Sequence, residues 1–259
     1  MAPVMAAAKR LLGIALALFC WQALAWSHAV PAEYFPGLPA VGAAGWRLLR
    51  SPDFLLHLGT TSLRAVAGLA IATTLGLVVA IAAGRYAVLR RMLEPVVGML
   101  RVLPPPAIVP ISIFVLGIGT QLFLFIIAFA SIWPIYINAA NALAAGEPVQ
   151  LMTGRCFGYS SWEILLRLRL PAALPEIVTG IRLGAGIALL ATIAAEMLAG
   201  QSGLGFLLYD AAFSLRTADM FAIMATIGVV GLLFNALVQQ ASRLVVGWHL
   251  AMTALAEPA

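Results

Sequence analysis

Gly200-Gln201-Ser202-Gly203 is the stretch of this sequence that most resembles a reaction centre. A serine between glycines in an apolar chain has the spacing of an intramembrane serine protease nucleophile. Such a serine needs a general base within about 2.6–3.2 Å. The histidines are His28, His57 and His249. Only His249 follows Ser202, and it lies beyond the last apolar run, about 30 Å away by bilayer thickness. His28 and His57 fall outside the expected spans. Ser202 therefore has no base, and the protease is kept only as the alternative reading. The three histidines are also too scattered for a metal site. Lys9 is the only lysine, which excludes a G-x-x-x-x-G-K-[ST] phosphate loop. The expectation is a chain with no catalytic residue, no metal and no bound cofactor.

A second set of polar residues could serve a solute instead of a reaction. Glu196 sits near the end of an apolar run, where an acid costs up to about 2.5–3.5 kcal/mol on insertion scales. It reads as a structural ion-pair partner or as a solute contact. Arg101 offers positive charge for an anion, or marks the edge of a span. It precedes "LPPPAIVP", residues 103–110. A proline inside a helix removes a hydrogen bond and costs about 3 kcal/mol. In a membrane that break survives only where protein or a wet cavity covers it. Arg101, Pro104, Pro110, Asn138 and Glu196 are thus the candidates for a translocation path.

The elements that position these residues follow from composition. The chain has 259 residues, 63% hydrophobic and 10% charged, against about 25% charged in a soluble domain. Apolar runs near 20 residues, without alternating strands, define an all-α polytopic membrane protein. About six spans are expected. The first, Leu11 to Trp26, ends in a small-x-small pattern, so it reads either as an uncleaved span or as a cleaved signal. The second is Ala65 to Gly84, and the third, about Val96 to Leu116, carries the prolines. The fourth is Leu122 to Leu143, the fifth about Val178 to Leu198 and the sixth Met220 to Val246. Residues 31–58 and 200–219 are expected to be loops on the outer face. Residues 1–60 form an N-terminal span and loop, 61–249 a core, and 250–259 a short tail.

Charge orients the spans. Lys9, Arg10, Arg85, Arg90, Arg91, Arg155, Arg167, Arg169 and Arg243 share one face, whereas Arg47, Arg50 and Arg216 fall opposite. The positive-inside rule places both termini in the cytoplasm. The net charge of +5 is spread along the span ends, so it indicates a lipid bilayer and no nucleic acid.

The fourth and fifth spans are separated by a basic insert, about 147–175, on the same inner face. Ser160-Ser161-Trp162-Glu163 fits a capping box, with Ser160 as N-cap and Glu163 reaching back. Gly158 suits the C-terminal end of a preceding helix at about Val149 to Phe157. Pro171 is expected to stop the second helix and Pro175 to open the next. The picture is a rigid finger of helix, glycine turn and capped helix. Its leucines bury one side, and Arg167 and Arg169 meet headgroups or a partner.

This insert resembles the cytoplasmic signature of ABC importer permease subunits, E-A-A-x₃-G-x₉-I-x-L-P. Gly158 matches the Gly, Leu168 the Ile, and Leu170-Pro171 the final pair. Met152, Thr153 and Gly154 stand where Glu, Ala and Ala are usual. "SLRAVAGLAIATTLGLVVAIAAGR", "RVLPPPAIVPISIFVLGIG", "LPAALPEIVTGIRLG", "AEMLAGQSGLGFLL" and "GWH" extend the likeness over about residues 50–249. They are similar to permeases for nitrate, taurine, aliphatic sulfonates and bicarbonate. The resemblance implies the type I importer (MetI-like) fold in a bacterial inner membrane. It implies a coupling loop comprising Met152, Arg155, Gly158, Ser160, Glu163, Leu168, Leu170 and Pro171. It further implies a permease homodimer, two cytosolic ATPase subunits that use ATP and Mg, and an external solute-binding protein.

Overall fold

A computed structural model describes residues 2–27, 29–145 and 148–256, with side chains from residues 12–27, 29–145 and 152–246. His28 and the side chains of Lys9, Arg10 and His249 lie outside the described residues. Every regular element among the described residues is helical. In chain order these are α1 (Ala2–Trp26), α2 (Leu38–Leu49), α3 (Pro52–Arg85), α4 (Ala87–Leu100), α5 (Pro105–Leu116) and α6 (Thr120–Ala144). There follow α7 (Pro148–Cys156), α8 (Ser161–Ile164), a π-helical turn Leu165–Arg169, α9 (Leu170–Ala199), α10 (Leu204–Phe213) and α11 (Thr217–Ala256). The end of α11 takes up most of the expected tail.

Four helices among the described residues are long and apolar enough to cross a membrane: α3, α6, the continuous Ser161–Ala199 and Thr217–Val246 of α11. The pair α4 and α5, bent by 102°, passes the same test as one broken span. The Leu12–Trp26 stretch of α1 is apolar but shorter than a span, so the described residues give four spans, or five with the broken pair, against the six expected.

The core is the triad α3, α6 and α9. Lipid tails are as apolar as leucine, so helices associate in a membrane through close packing of small residues. On α3, Gly68, Ala72, Gly76 and Ala80 recur every four residues and are all buried. On α9, Gly180, Gly184, Ala188 and Thr192 do the same, and Glu196 is the next position of that stripe. A methyl at Gly180 would lie 2.9 Å from the Pro134 carbonyl oxygen on α6, and one at Gly184 3.1 Å from that of Ser131. The Gly180-x₃-Gly184 pair is thus used for packing within one chain.

Three sequence expectations are corrected. First, α3 begins at Pro52, well before Ala65. The polar residues just ahead of Ala65 are accommodated in the helix: Thr60 and Ser62 donate to the carbonyls of Leu56 and Leu58, each at 2.8 Å. Second, the stretches taken as loops contain α2 and α10, and Arg47 of α2 pairs with Asp219 of α11. Third, Pro171 does not stop a helix, since Ser161–Ala199 runs through it over 39 residues. The π-turn before it explains why. Leu170 donates its N–H to Leu165, and this wider turn relieves the ring of the i−4 carbonyl clash that a proline imposes.

The proline-rich break falls at Arg101–Pro104, between α4 and α5. Residues before proline avoid the helical region, so Leu103 and Pro104 leave the helix. Pro105, in the first helical position of α5, has no N–H to lose there.

Candidate functional site

The two ends of the triad carry the functional candidates. At one end is the insert. Helix α7 closes in a Schellman motif: Tyr159 donates its N–H to Gly154 and Gly158 donates to Arg155, both at 3.0 Å. This requires a left-handed residue, and Gly158 has φ +77°. Two residues later, Ser160 begins a complete capping box with Glu163. The Ser160 N–H donates to Glu163 Oε2 at 2.9 Å, and the Ser160 Oγ accepts from the Glu163 N–H at 3.3 Å. Arg167 pairs with Glu163 at 3.6 Å and lies over the Tyr159 ring.

The finger folds back on itself at Gly154. A methyl there would stand 2.8 Å from Leu168 Cδ1 and 3.3 Å from Ile164 Cγ1. Met152, Arg155, Gly158 and Ser160 are exposed, Glu163, Leu168, Leu170 and Pro171 half-buried. The local geometry expected of Gly158, Ser160 and Glu163 is therefore present. Because α8 continues through the π-turn into α9, the outer arm of the finger and the fifth span are one helix.

At the other end is a buried polar knot. Glu196 is fully buried. Its Oε1 accepts from Arg64 Nη1 at 2.9 Å, and its Oε2 accepts from Thr61 Oγ1 at 2.8 Å and from the Gly205 N–H at 3.0 Å. Arg64 also donates to the Ser202 carbonyl and hydroxyl, at 2.9 and 3.1 Å, and lies 3.9 Å over the Phe123 ring. Thr61 accepts the Leu204 N–H, and His57 Nδ1 accepts the Gly203 N–H at 2.8 Å. The three amides that open α10 are thus each satisfied by a side chain.

This knot corrects the placement of His57, which lies inside α3 beside Gly203. It also answers the protease alternative. The Ser202 hydroxyl faces a guanidinium, which cannot take a proton, and the near nitrogen of His57 is occupied by a backbone amide. The sequence reading missed His57, Thr61 and Arg64 as a group. Their i, i+4, i+7 spacing puts them on one face of α3, and that signal was available.

The remaining path candidates lie between these ends. Arg101, at the helix break, is exposed and lines two cavities. One, of about 360 Å³, also involves Arg90, Glu94, Tyr136 and Asn141. The other, of about 430 Å³, involves Leu103, Pro105, Trp133 and Leu190. Asn138 is half-buried and donates to the Pro134 carbonyl at 2.8 Å. Pro104 and Pro110 are exposed. The structure does not gather all five: Glu196 belongs to the knot, Arg101 to the cavities.

A small-residue triad of apolar helices with one broken span beside it and a finger at one end defines a helical integral membrane protein. Residues 72–247 match the family described as "Binding-protein-dependent transport system inner membrane component", and the chain belongs to that family. It is 30% identical over 241 residues to the putative aliphatic sulfonates transport permease protein SsuC of Bacillus subtilis (strain 168), covering 93% of this chain and 87% of that one. It is 31% identical over 193 residues to the taurine transport system permease protein TauC of Escherichia coli (strain K12), covering 74% and 70%. It is 34% identical to the nitrate import permease protein NrtB of Leptolyngbya laminosa over 68% of this chain and 63% of that one. A chain of the inward-facing MetNI methionine ABC transporter superposes with a TM-score of 0.63 at 19% identity, over 75% of this chain and 99% of that chain. The MetI-like fold expected from the sequence is the fold found.

Proposed function

We propose that this chain forms the translocation path of an importer for a small anion of the sulfonate or oxyanion class. Two copies form the path, and a separate ATPase subunit hydrolyses ATP with Mg and docks on the finger at Met152, Arg155, Gly158 and Ser160. An external binding protein delivers the solute. The observation that carries this reading is the continuity of α8, the π-turn and α9. A push on the finger moves a 39-residue helix that lines the Arg101 cavity through Leu190 and Ala191. ATPase motion thus reaches the path as a rigid-body displacement, with no hinge at Pro171. Arg101 supplies the positive charge that a sulfonate or nitrate needs, Arg90 in the same cavity being paired with Glu94 at 3.7 Å, and relatives named for such solutes agree with that chemistry. The exposed apolar faces of α5 and α9, with Phe114 88% and Leu190 72% exposed, suit a second copy.

The finger and both termini lie on the cytoplasmic side in this reading. A cysteine placed at Tyr159, with Cys20 and Cys156 removed, then reacts in whole cells only with membrane-permeant reagents. Labelling by an impermeant reagent would overturn that orientation. Solute class is tested by ATP-dependent uptake in vesicles containing the permease, its ATPase and its binding protein. Saturable uptake of taurine, an alkanesulfonate or nitrate is expected. Uptake confined to a neutral or cationic solute would refute the anion reading.

A further inference from the structure

Where α3 ends against the finger, a cavity of about 160 Å³ is lined by Arg85, Arg155, Arg169, Ser161, Gly84 and the apolar pair Ile164 and Leu165. That volume is roughly five times a water's share of liquid. Three guanidinium groups border it, and the lining includes no carboxylate. The Nε atoms of Arg85 and Arg169 are buried without a hydrogen-bond partner among the described residues. Arg85 is Cζ-over-ring with Tyr86 at 5.1 Å and with Trp162 at 6.0 Å, contacts that hold its fork in place. Leu165 and Arg169, four residues apart on one helix, share a face and both line the cavity.

A buried donor with no acceptor is unfavourable, so this arrangement calls for an anion. Three forks exceed what one carboxylate, with its two oxygens and single charge, can satisfy. A phosphate group offers more acceptor oxygens and matches guanidinium geometry. Arg85 is the last residue of α3, so the cavity opens where a span leaves the hydrocarbon, at the depth of lipid phosphates. Basic pockets between spans at that depth suit anionic headgroups. We infer that the Arg85–Arg155–Arg169 cavity is a phosphate-binding site, filled by the headgroup of an anionic phospholipid or by free phosphate. Its occupant ties the end of α3 to both arms of the finger. The inference does not depend on which solute is transported, nor on which end faces the cytosol.

The test uses the purified full-length chain in detergent, with native mass spectrometry counting bound phosphatidylglycerol. Arg85→Gln and Arg169→Gln are expected to weaken binding at least fivefold. Arg155→Gln, on the exposed finger where folding is not at risk, is expected to weaken it about threefold. Arg91→Gln, on the exposed side of α4, should leave it unchanged. Displacement by millimolar inorganic phosphate assigns the site to free phosphate as well; resistance to displacement assigns it to the headgroup. Equal loss in Arg91→Gln and Arg169→Gln would reduce the effect to diffuse surface charge and overturn the site. So would wild-type binding of lipid and phosphate in all three cavity variants. Loss of ATPase co-purification in Arg155→Gln with lipid and phosphate binding intact would overturn it too, because the cavity would then receive a protein carboxylate.

Discussion

The two ends of the α3–α6–α9 bundle are fastened in opposite ways. At the knot, a buried ion pair joins residues 132 apart in sequence, and side chains from α3 and α9 satisfy the backbone of α10. At the finger, the turn is set by one glycine and one capping box, whose contacts span three to five residues and whose side chains are half-buried or exposed. Buried long-range polar contacts are costly to break and resist deformation. Exposed local contacts of this kind keep the shape of the turn, which joins the rest of the molecule through the helix Ser161–Ala199 and the Arg85–Trp162 contact. The comparison suggests a division of labour: the knot fixes the spans to one another, while the finger stays stiff yet free to be gripped by a partner.

Removing one partner of the knot should have the largest effect. Glu196→Ala strands the Arg64 guanidinium in a buried site, and breaking such a pair typically costs about 3–5 kcal/mol. A large fall in thermal unfolding temperature in detergent is expected, with a partial recovery in Glu196→Ala/Arg64→Met. Wild-type stability of the single variant would show that the knot does not hold the spans. Next comes Gly203→Ala. Gly203 has φ +110°, and an added methyl would collide with the Glu196 carboxyl group. Backbone strain of this kind costs about 1–3 kcal/mol before any clash. The variant should destabilise the protein without touching the finger, which ATPase co-purification at low temperature would read. Stability equal to wild type would mean that the α10 amides do not need this approach.

Gly158→Val probes the opposite end. A left-handed conformation costs a non-glycine residue about 1–2 kcal/mol, and β-branching adds to the difficulty. The change lies outside the spans, so membrane-embedded protein should form in normal amounts. Its ATPase binding and solute uptake should fall at least tenfold. Normal binding and uptake would remove the finger from the coupling role.

These ends were legible in the sequence to different degrees, and the reason is range. Gly158, Ser160 and Glu163 act on neighbours three to five residues away, so a short motif carries their geometry in full. The spans were legible too, because hydropathy is a local sum. The knot was not. Glu196 was visible as an acid in an apolar run, but its partners lie on α3, and only folding brings Arg64 and Thr61 to it. The same blindness placed the start of α3 too late, since Thr61 and Arg64 interrupt the apolar run until their partners on α9 and at the start of α10 are known. Pro171 misled for a different cause. A proline is a helix stop by local rules, and a π-turn is an accommodation that the sequence does not announce.

Ser160→Ala sets the lower bound of the comparison. The Ser160 hydroxyl accepts the Glu163 N–H, and losing an N-cap costs about 0.5–2 kcal/mol. Glu163 keeps its bond to the Ser160 N–H, which alanine also carries, and Arg167 still reaches Glu163. Half of the capping box therefore survives the change. The exposed finger contributes little to global unfolding, so the melting temperature should barely move. The loss should appear locally, as faster hydrogen exchange at the amides of Trp162 and Glu163, with those of α9 beyond Pro171 unchanged. If exchange rises through α9 as well, the finger and the span melt as one unit, and stiffness is not confined to the two short arms. If exchange does not rise at all, the Schellman turn at Gly158 holds α8 without its cap, and the glycine alone sets the angle of the finger.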